Sequence, residues 1–332
     1  MSGRIVRTVL GDVDPGTLGL VLGHEHLVTH PPAFVTDPDL TMASEAEALA
    51  ELADFAAAGG GGLVEMTTID YGRDGPALVR LSRASGVHVV AATGFNQGKF
   101  ADRISSRFST EAIAAWMARE VADGLAAPGV ESLDAPALAG PFAARAGLIK
   151  ASSGLDGPGD DERRVLEAAA LAHLRTGAPI STHTEKGTWA LEQARLLTGA
   201  GVPSTSILLS HLDLKPDLGY LLEVLATGVS IGLDQFGKAK YLPDADRVAL
   251  VEALAGRGHL DQLMLSGDMA RRSSWRSTGG GPGLAHIPRT ILPMLRERGF
   301  DADAMIRLTV GNAARFLAFA PAGGAGGSSP ER

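Results

Sequence analysis

His24 and His26 stand one residue apart at the end of the apolar run Leu20-Val21-Leu22-Gly23-His24-Glu25-His26-Leu27. In a strand, residues i and i+2 point to the same face, so the two imidazoles lie side by side and can clamp one metal ion. An isolated His-x-His pair fits two hydrogen-bonded histidines at a strand end equally well. Further ligands at other strand ends would decide between the two. Four more residues stand at the ends of strand-like runs: Lys150 after Gly147-Leu148-Ile149, His183 in Ser181-Thr182-His183-Thr184, His211 after Ile207-Leu208-Leu209-Ser210, and Asp268 after Leu263-Met264-Leu265-Ser266-Gly267. Imidazoles and a carboxylate suit a borderline divalent ion such as zinc. Lys150 is the odd member, because an ammonium is repelled by a cation and has no lone pair to give. It is either a counter-charge for substrate or, after its neutral amine reacts with CO2, an anionic carbamate able to bridge two metals.

Composition limits the alternatives. The chain has 332 residues, a net charge of −8, 45% apolar residues and no cysteine. Thiolate metal sites, disulfides and a cysteine nucleophile are therefore excluded. No helix face collects the basic residues that a nucleic-acid surface needs. Residues 1–7 lack the apolar core of a signal peptide, and no run reaches the ~18 residues of a membrane span. A cytoplasmic enzyme acting on a small molecule, with no membrane or nucleic-acid partner, is the expectation.

The elements that must position these residues alternate along the chain. Strand patterns fall near residues 20, 64, 90, 148, 181, 209, 231 and 265, each followed by a helical pattern. The glycines Gly59 to Gly62 read as a break before a strand over Leu63 to Ile69, Gly94 to Lys99 as a polar loop, Ala126 to Ala144 as irregular, and Gly187 to Leu197 as helix. Eight βα repeats predict an α/β fold, a (β/α)8 TIM barrel over residues 1–320, with a flexible tail at 321–332. A doubly wound open sheet is the rival. It lacks its Gly-x-Gly-x-x-Gly turn, and it would not bring polar residues from five strand ends to one mouth, as a barrel does.

Gly23-His24-Glu25-His26, Gly147-Leu148-Ile149-Lys150, Ser181-Thr182-His183-Thr184, Ser210-His211-Leu212-Asp213, Gly267-Asp268 and Gly311-Asn312-Ala313-Ala314-Arg315 resemble, in this order, the phosphotriesterase-like family of the amidohydrolase superfamily. The pattern is closest to its lactonase branch. The resemblance implies a barrel with two divalent ions, zinc foremost and manganese or cobalt as alternatives. One ion would be held by His24, His26 and Asp268, the other by His183 and His211, with carboxylated Lys150 and a hydroxide bridging them. It also implies a homodimer and a hydrolase in which that hydroxide attacks a carbonyl and Asp268 acts as general base and proton shuttle.

Departures from the pattern bear on substrate. Members specialised for organophosphates resemble one another in a histidine after the strand-seven Leu-Asp pair, whereas this chain has Leu233-Asp234-Gln235. Thr93-Gly94-Phe95 is followed by Asn96, where lactonases often carry an aromatic residue. The mouth loops instead supply Asn96, Lys99, Lys238, Lys240, Arg271 and Arg272. These are either solvated loop charges or a rim that recognises an anionic, hydroxylated substrate. A lactonase for sugar lactones, phosphorylated ones included, is the first expectation. A phosphotriesterase or other ester or amide hydrolase is the second, and a non-catalytic binding protein the third.

Overall fold

The eight runs form one parallel sheet in the computed structural model, which describes residues 3–321. An antiparallel hairpin of β1 (Val6–Thr8) and β2 (Gly11–Val13) precedes it, an element that the sequence pattern did not reveal. The sheet then follows chain order through β3 (Leu20–Glu25), β4 (Gly60–Glu65), β5 (His88–Gly94), β6 (Leu148–Ser153), β7 (Ile180–Thr184), β8 (Ile207–Leu209), β9 (Ser230–Leu233) and β10 (Leu263–Leu265). Helices return the chain between successive strands, and the architecture is a (β/α)8 barrel. The seam between last and first strands is closed by polar groups: His24 N donates to Ser266 Oγ at 3.1 Å, and Asp268 N donates to His24 O at 3.2 Å.

Strand alternation explains why the ligand candidates face inward. On β5, Val89 and Ala91 pack outward among the helices, while Val90 and Ala92 belong to the small cluster inside the barrel. Leu148, Leu208 and Met264 lie in the same inner cluster. Counting by twos from them reaches Lys150, Ser210, and Ser266 with Asp268. β3 needs one more device. Its pairing with β4 slips between Leu22 and Glu25, and this irregularity rephases the strand. Gly23, whose Cβ would meet Met264, faces inward, and after the slip His24 and His26 do so as well.

The glycine run is a correction. Gly60 to Gly62 are strand residues, not a loop, and the strand ends at Glu65. The reason is close approach: a Cβ on Gly61 would lie 2.2 Å from Leu18 O, and one on Gly60 would enter the Phe55 ring. Gly61→Ala is expected to cost about 1–3 kcal/mol of stability, the usual penalty of overpacking. Thermal denaturation measures it, and an unchanged midpoint would mean that the Leu18 backbone yields freely. The helix expected from Gly187 starts at Ala190, because Lys186 and Trp189 hold left-handed φ values of 53° and 60°. A further short helix, Lys99–Ser105, follows the strand-five loop, while most of 126–144 is irregular as expected. The expected tail lies, from residue 322 onward, outside the described residues. Among the described residues no helix is long and apolar enough to cross a membrane.

Candidate metal centre

The C-terminal ends of the strands bring His24, His26, Lys150, His183, His211 and Asp268 to one mouth. His26 Nε2 lies 3.4 Å, and His24 Nε2 3.8 Å, from Asp268 Oδ1. These separations suit donors around one tetrahedral ion, since two ligands with metal bonds of ~2.1 Å stand roughly 3.4 Å apart. Each ring is oriented through its other nitrogen. His26 Nδ1 bonds Thr67 Oγ1 at 2.8 Å, and His24 Nδ1 bonds Ser210 Oγ at 3.1 Å. Burial holds both imidazoles below the ordinary histidine range, so they are neutral near pH 7 and present lone pairs. The donor set therefore fits a divalent ion.

The expected second set is also assembled. The His211 ring centroid lies 4.7 Å from that of His24 and 4.6 Å from that of His183. Asp234 Oδ1 takes His211 Nδ1 at 2.7 Å, leaving Nε2 as the donor atom. His24, His211 and Asp234 have side-chain donor atoms close enough together for an ion of their own. The 2.7 Å contact is a hydrogen bond with no room for a cation, so Asp234 orients the His211 ring, as carboxylates do for histidines that bind metals. Burial lowers His211, but Asp234 overrides it and raises the ring's pKa. His183 Nε2 bonds Glu185 Oε2 at 3.1 Å, which leaves Nδ1, and burial takes its pKa down to about 4. Lys150 is buried, and burial lowers its pKa despite the nearby carboxylates of Asp268, Asp70 and Glu65; its Nζ donates to Met66 O at 3.0 Å. A buried amine that loses its proton more easily is the one that reacts with CO2.

Two of the candidate ligands sit in strained backbone. His211 has φ 67° and Asp268 φ 46°, a region that costs a non-glycine residue about 1–3 kcal/mol. The neighbourhood enforces both: His211 N donates to the two Asp234 oxygens at 3.0 and 3.2 Å, and the seam bond to His24 O fixes Asp268. Asp268 is held well below the carboxylate range. Burial opposes this, but Lys238 and the histidines outweigh it.

Beside Asp268 opens a cavity of about 460 Å³, lined by Lys238, Lys240, Tyr241, Arg271 and the loop after β10 through Gly281 and Pro282. The five residues expected at the substrate differ in placement. Lys238 lines the cavity, yet its Nζ is spent on Asp268 Oδ2 at 2.8 Å and Gln235 Oε1 at 2.9 Å. Arg271 lines it too, paired with Asp37 at 2.6 Å and Asp39 at 3.3 Å. Arg272 is turned onto Glu47 at 2.7 Å, and Lys99 Nζ lies over the Phe34 and Phe100 rings at 5.0 and 5.6 Å. Asn96 is used locally, its Oδ1 accepting from Gln97 N. Lys240 has no carboxylate partner among the described residues and only a Tyr241 ring, 4.7 Å away, beside its ammonium. A larger cavity of about 550 Å³ opens among Arg4, Ser230, Asp261 and Arg315 and contains none of the ligand candidates.

Asp234, Gln235 and Ser210 stand in the sequence motifs without an assigned role, and Thr67 and Glu185 are not singled out by the sequence. Asp234 follows β9 directly, so the strand-end rule that picked out the candidate ligands extends to this orienting carboxylate.

The sequence pattern of the Phosphotriesterase family matches residues 4–317. The chain belongs to the phosphotriesterase family. It is a hydrolase of that metal-dependent group. A phospho-furanose lactonase of Mycoplasmopsis synoviae is 32% identical, over 96% of this chain and 93% of the relative. Among solved structures, a lactonase from Listeria monocytogenes is 30% identical with a TM-score of 0.86, over 95% of this chain and 99% of that one. The Escherichia coli phosphotriesterase homology protein, solved with phosphate in its active site, is 32% identical with a TM-score of 0.83, over 91% and 99%. The barrel is thus that of a phosphotriesterase-family hydrolase.

Proposed function

We propose that this chain hydrolyses the ester bond of an anionic sugar lactone, a phosphorylated furanose lactone being the model substrate. The carrying observation is the cavity at Asp268, whose charged lining is three cations, Lys238, Lys240 and Arg271, against one carboxylate. The relatives named as lactonases, and the phosphate in the active site of the Escherichia coli protein, support the same reading.

His24, His26 and Asp268 would hold one divalent ion, zinc by its donor set, with manganese or cobalt as alternatives. Lys150, carboxylated, would serve with His183 and His211 for the other. When bound, the ions supply Lewis acidity that lowers the pKa of a water and polarises the lactone carbonyl. The chain's own residues perform the rest. Lys240 draws the substrate anion into the cavity. Asp268, kept ionised by Lys238, takes a proton from the attacking water and returns it to the ring oxygen as that oxygen leaves. Gln235 Nε2 donates to Asp268 Oδ2 at 2.9 Å and keeps the carboxylate aimed. A homodimer in the cytoplasm, acting on a small molecule without nucleic-acid or membrane partners, completes the reading.

Lys240→Met tests it. KM for a lactone phosphate is expected to rise so that kcat/KM falls roughly tenfold to a hundredfold, the loss of one charge-assisted hydrogen bond. A neutral lactone should be unaffected. If neither substrate responds, Lys240 is merely solvated and a neutral ester or amide is the better assignment.

A further inference from the structure

Two loops wall the cavity at Asp268, residues 237–241 after β9 and residues 270–282 after β10. They touch at Gly237, whose φ is +84° and whose Cβ would lie 2.6 Å from Pro282 Cγ and 3.3 Å from His286 Cδ2. Gly237 N donates to Asp244 Oδ1 at 2.8 Å, and His286 Nε2 meets Asp244 Oδ2 at 2.7 Å. One carboxylate therefore ties a glycine of the first loop to the histidine that closes the second. The two side chains are 20% and 14% exposed, which leaves the pair little competing water.

Both ends of this strut are anchored. Asp244 opens the helix Asp244–Ala255, and its Oδ1 also lies 3.5 Å from Nη1 of the buried Arg247, whose Nε bonds Asp213 at 2.6 Å. On the other side Leu284 N, two residues before His286, donates to the buried Glu51 at 3.1 Å. A half-buried histidine bonded to a carboxylate is commonly a packing feature. What distinguishes this one is its address, since the glycine it braces directly precedes Lys238 and stands three residues from Lys240.

We propose that Asp244 and His286 are positioning residues for the substrate anion. Their hydrogen bond sets the spacing of the two loops and so places the Lys240 charge over the cavity. This rests on the reading that the cavity binds an anion.

The test uses metal-loaded full-length protein. His286→Phe keeps an aromatic ring and removes the donor, whereas His286→Gln retains an N–H of similar reach. Kinetics on a lactone phosphate and on a neutral lactone are measured, together with the calorimetric Kd for inorganic phosphate. His286→Phe should raise KM for the lactone phosphate and Kd for phosphate about tenfold, the scale of one hydrogen bond to a charged group. It should leave kcat and the neutral lactone at wild-type values, and His286→Gln should restore most of the loss. An unchanged phosphate Kd, or equal damage to both lactones, overturns the proposal. Lys240→Met in the same series separates the two levels. If it also leaves phosphate binding intact, the anion reading fails. If it weakens phosphate while His286→Phe does not, only the strut fails. Should His286→Phe not fold, Asp244→Asn carries the same comparison, because its oxygen still accepts from Gly237.

Discussion

Asp268→Asn should lower kcat by about 100- to 10,000-fold, the range typical of general acid–base catalysis, while the barrel stays folded. The amide has nearly the carboxylate's shape, so the seam bond from Asp268 N to His24 O and the contact with Gln235 can persist. It cannot take the proton of the attacking water. It also leaves the Lys238 ammonium without its anionic partner. The loss should appear for charged and neutral substrates alike, in contrast to Lys240→Met. Steady-state kinetics, with metal content measured in parallel, checks this. Wild-type turnover in the variant would remove Asp268 from the chemistry.

Lys150→Met should abolish two-metal loading. Carboxylation joins the Nζ lone pair to the carbon of CO2 with loss of a proton, and methionine offers no amine for that bond. If Lys150 carries the proposed carbamate, the bound metal in the variant should drop to one ion per chain or fewer. The accompanying loss of several kcal/mol of Lewis-acid stabilisation corresponds to roughly a thousandfold in rate or more. Elemental analysis reads the stoichiometry, and NMR of wild-type protein given isotopically labelled bicarbonate should reveal a carbamate carbon. Full metal loading in Lys150→Met, or no carbamate signal, would return Lys150 to the role of a simple counter-charge.

The residues that meet at the mouth were readable because strand ends are conspicuous: an apolar run that stops at a histidine, lysine or aspartate marks itself. The eightfold repeat was readable for the same reason. Gly60 to Gly62 misled because glycine normally argues against a strand, and only the approach of the Leu18 carbonyl reveals why glycine is needed there. The hairpin Val6–Val13 is two three-residue strands, too short for alternation to register. Rim residues were legible as charges but not as partners. Nothing local in the sequence says that Arg271 meets Asp37 and Asp39, more than two hundred residues away, or that Lys99 settles on two phenylalanine rings. Tertiary pairing determines which cation stays free, and among the described residues that line the cavity it leaves Lys240.

The loop after β10 is held to the opposite side of the chain by acidic residues of the first loop and helix. Asp37 and Asp39 take Arg271, Glu47 takes Arg272, and Glu51 accepts from Ser277 N and Leu284 N. For anyone redesigning substrate choice, the two segments form a single exchangeable module. A loop of different length or path grafted alone after β10 would take the Ser277 and Leu284 amides away from the buried Glu51, a cost of the order of 1–3 kcal/mol or more. Chimeras should therefore carry residues 37–54 and 270–286 together, and libraries that vary only one segment would sample mostly misassembled mouths.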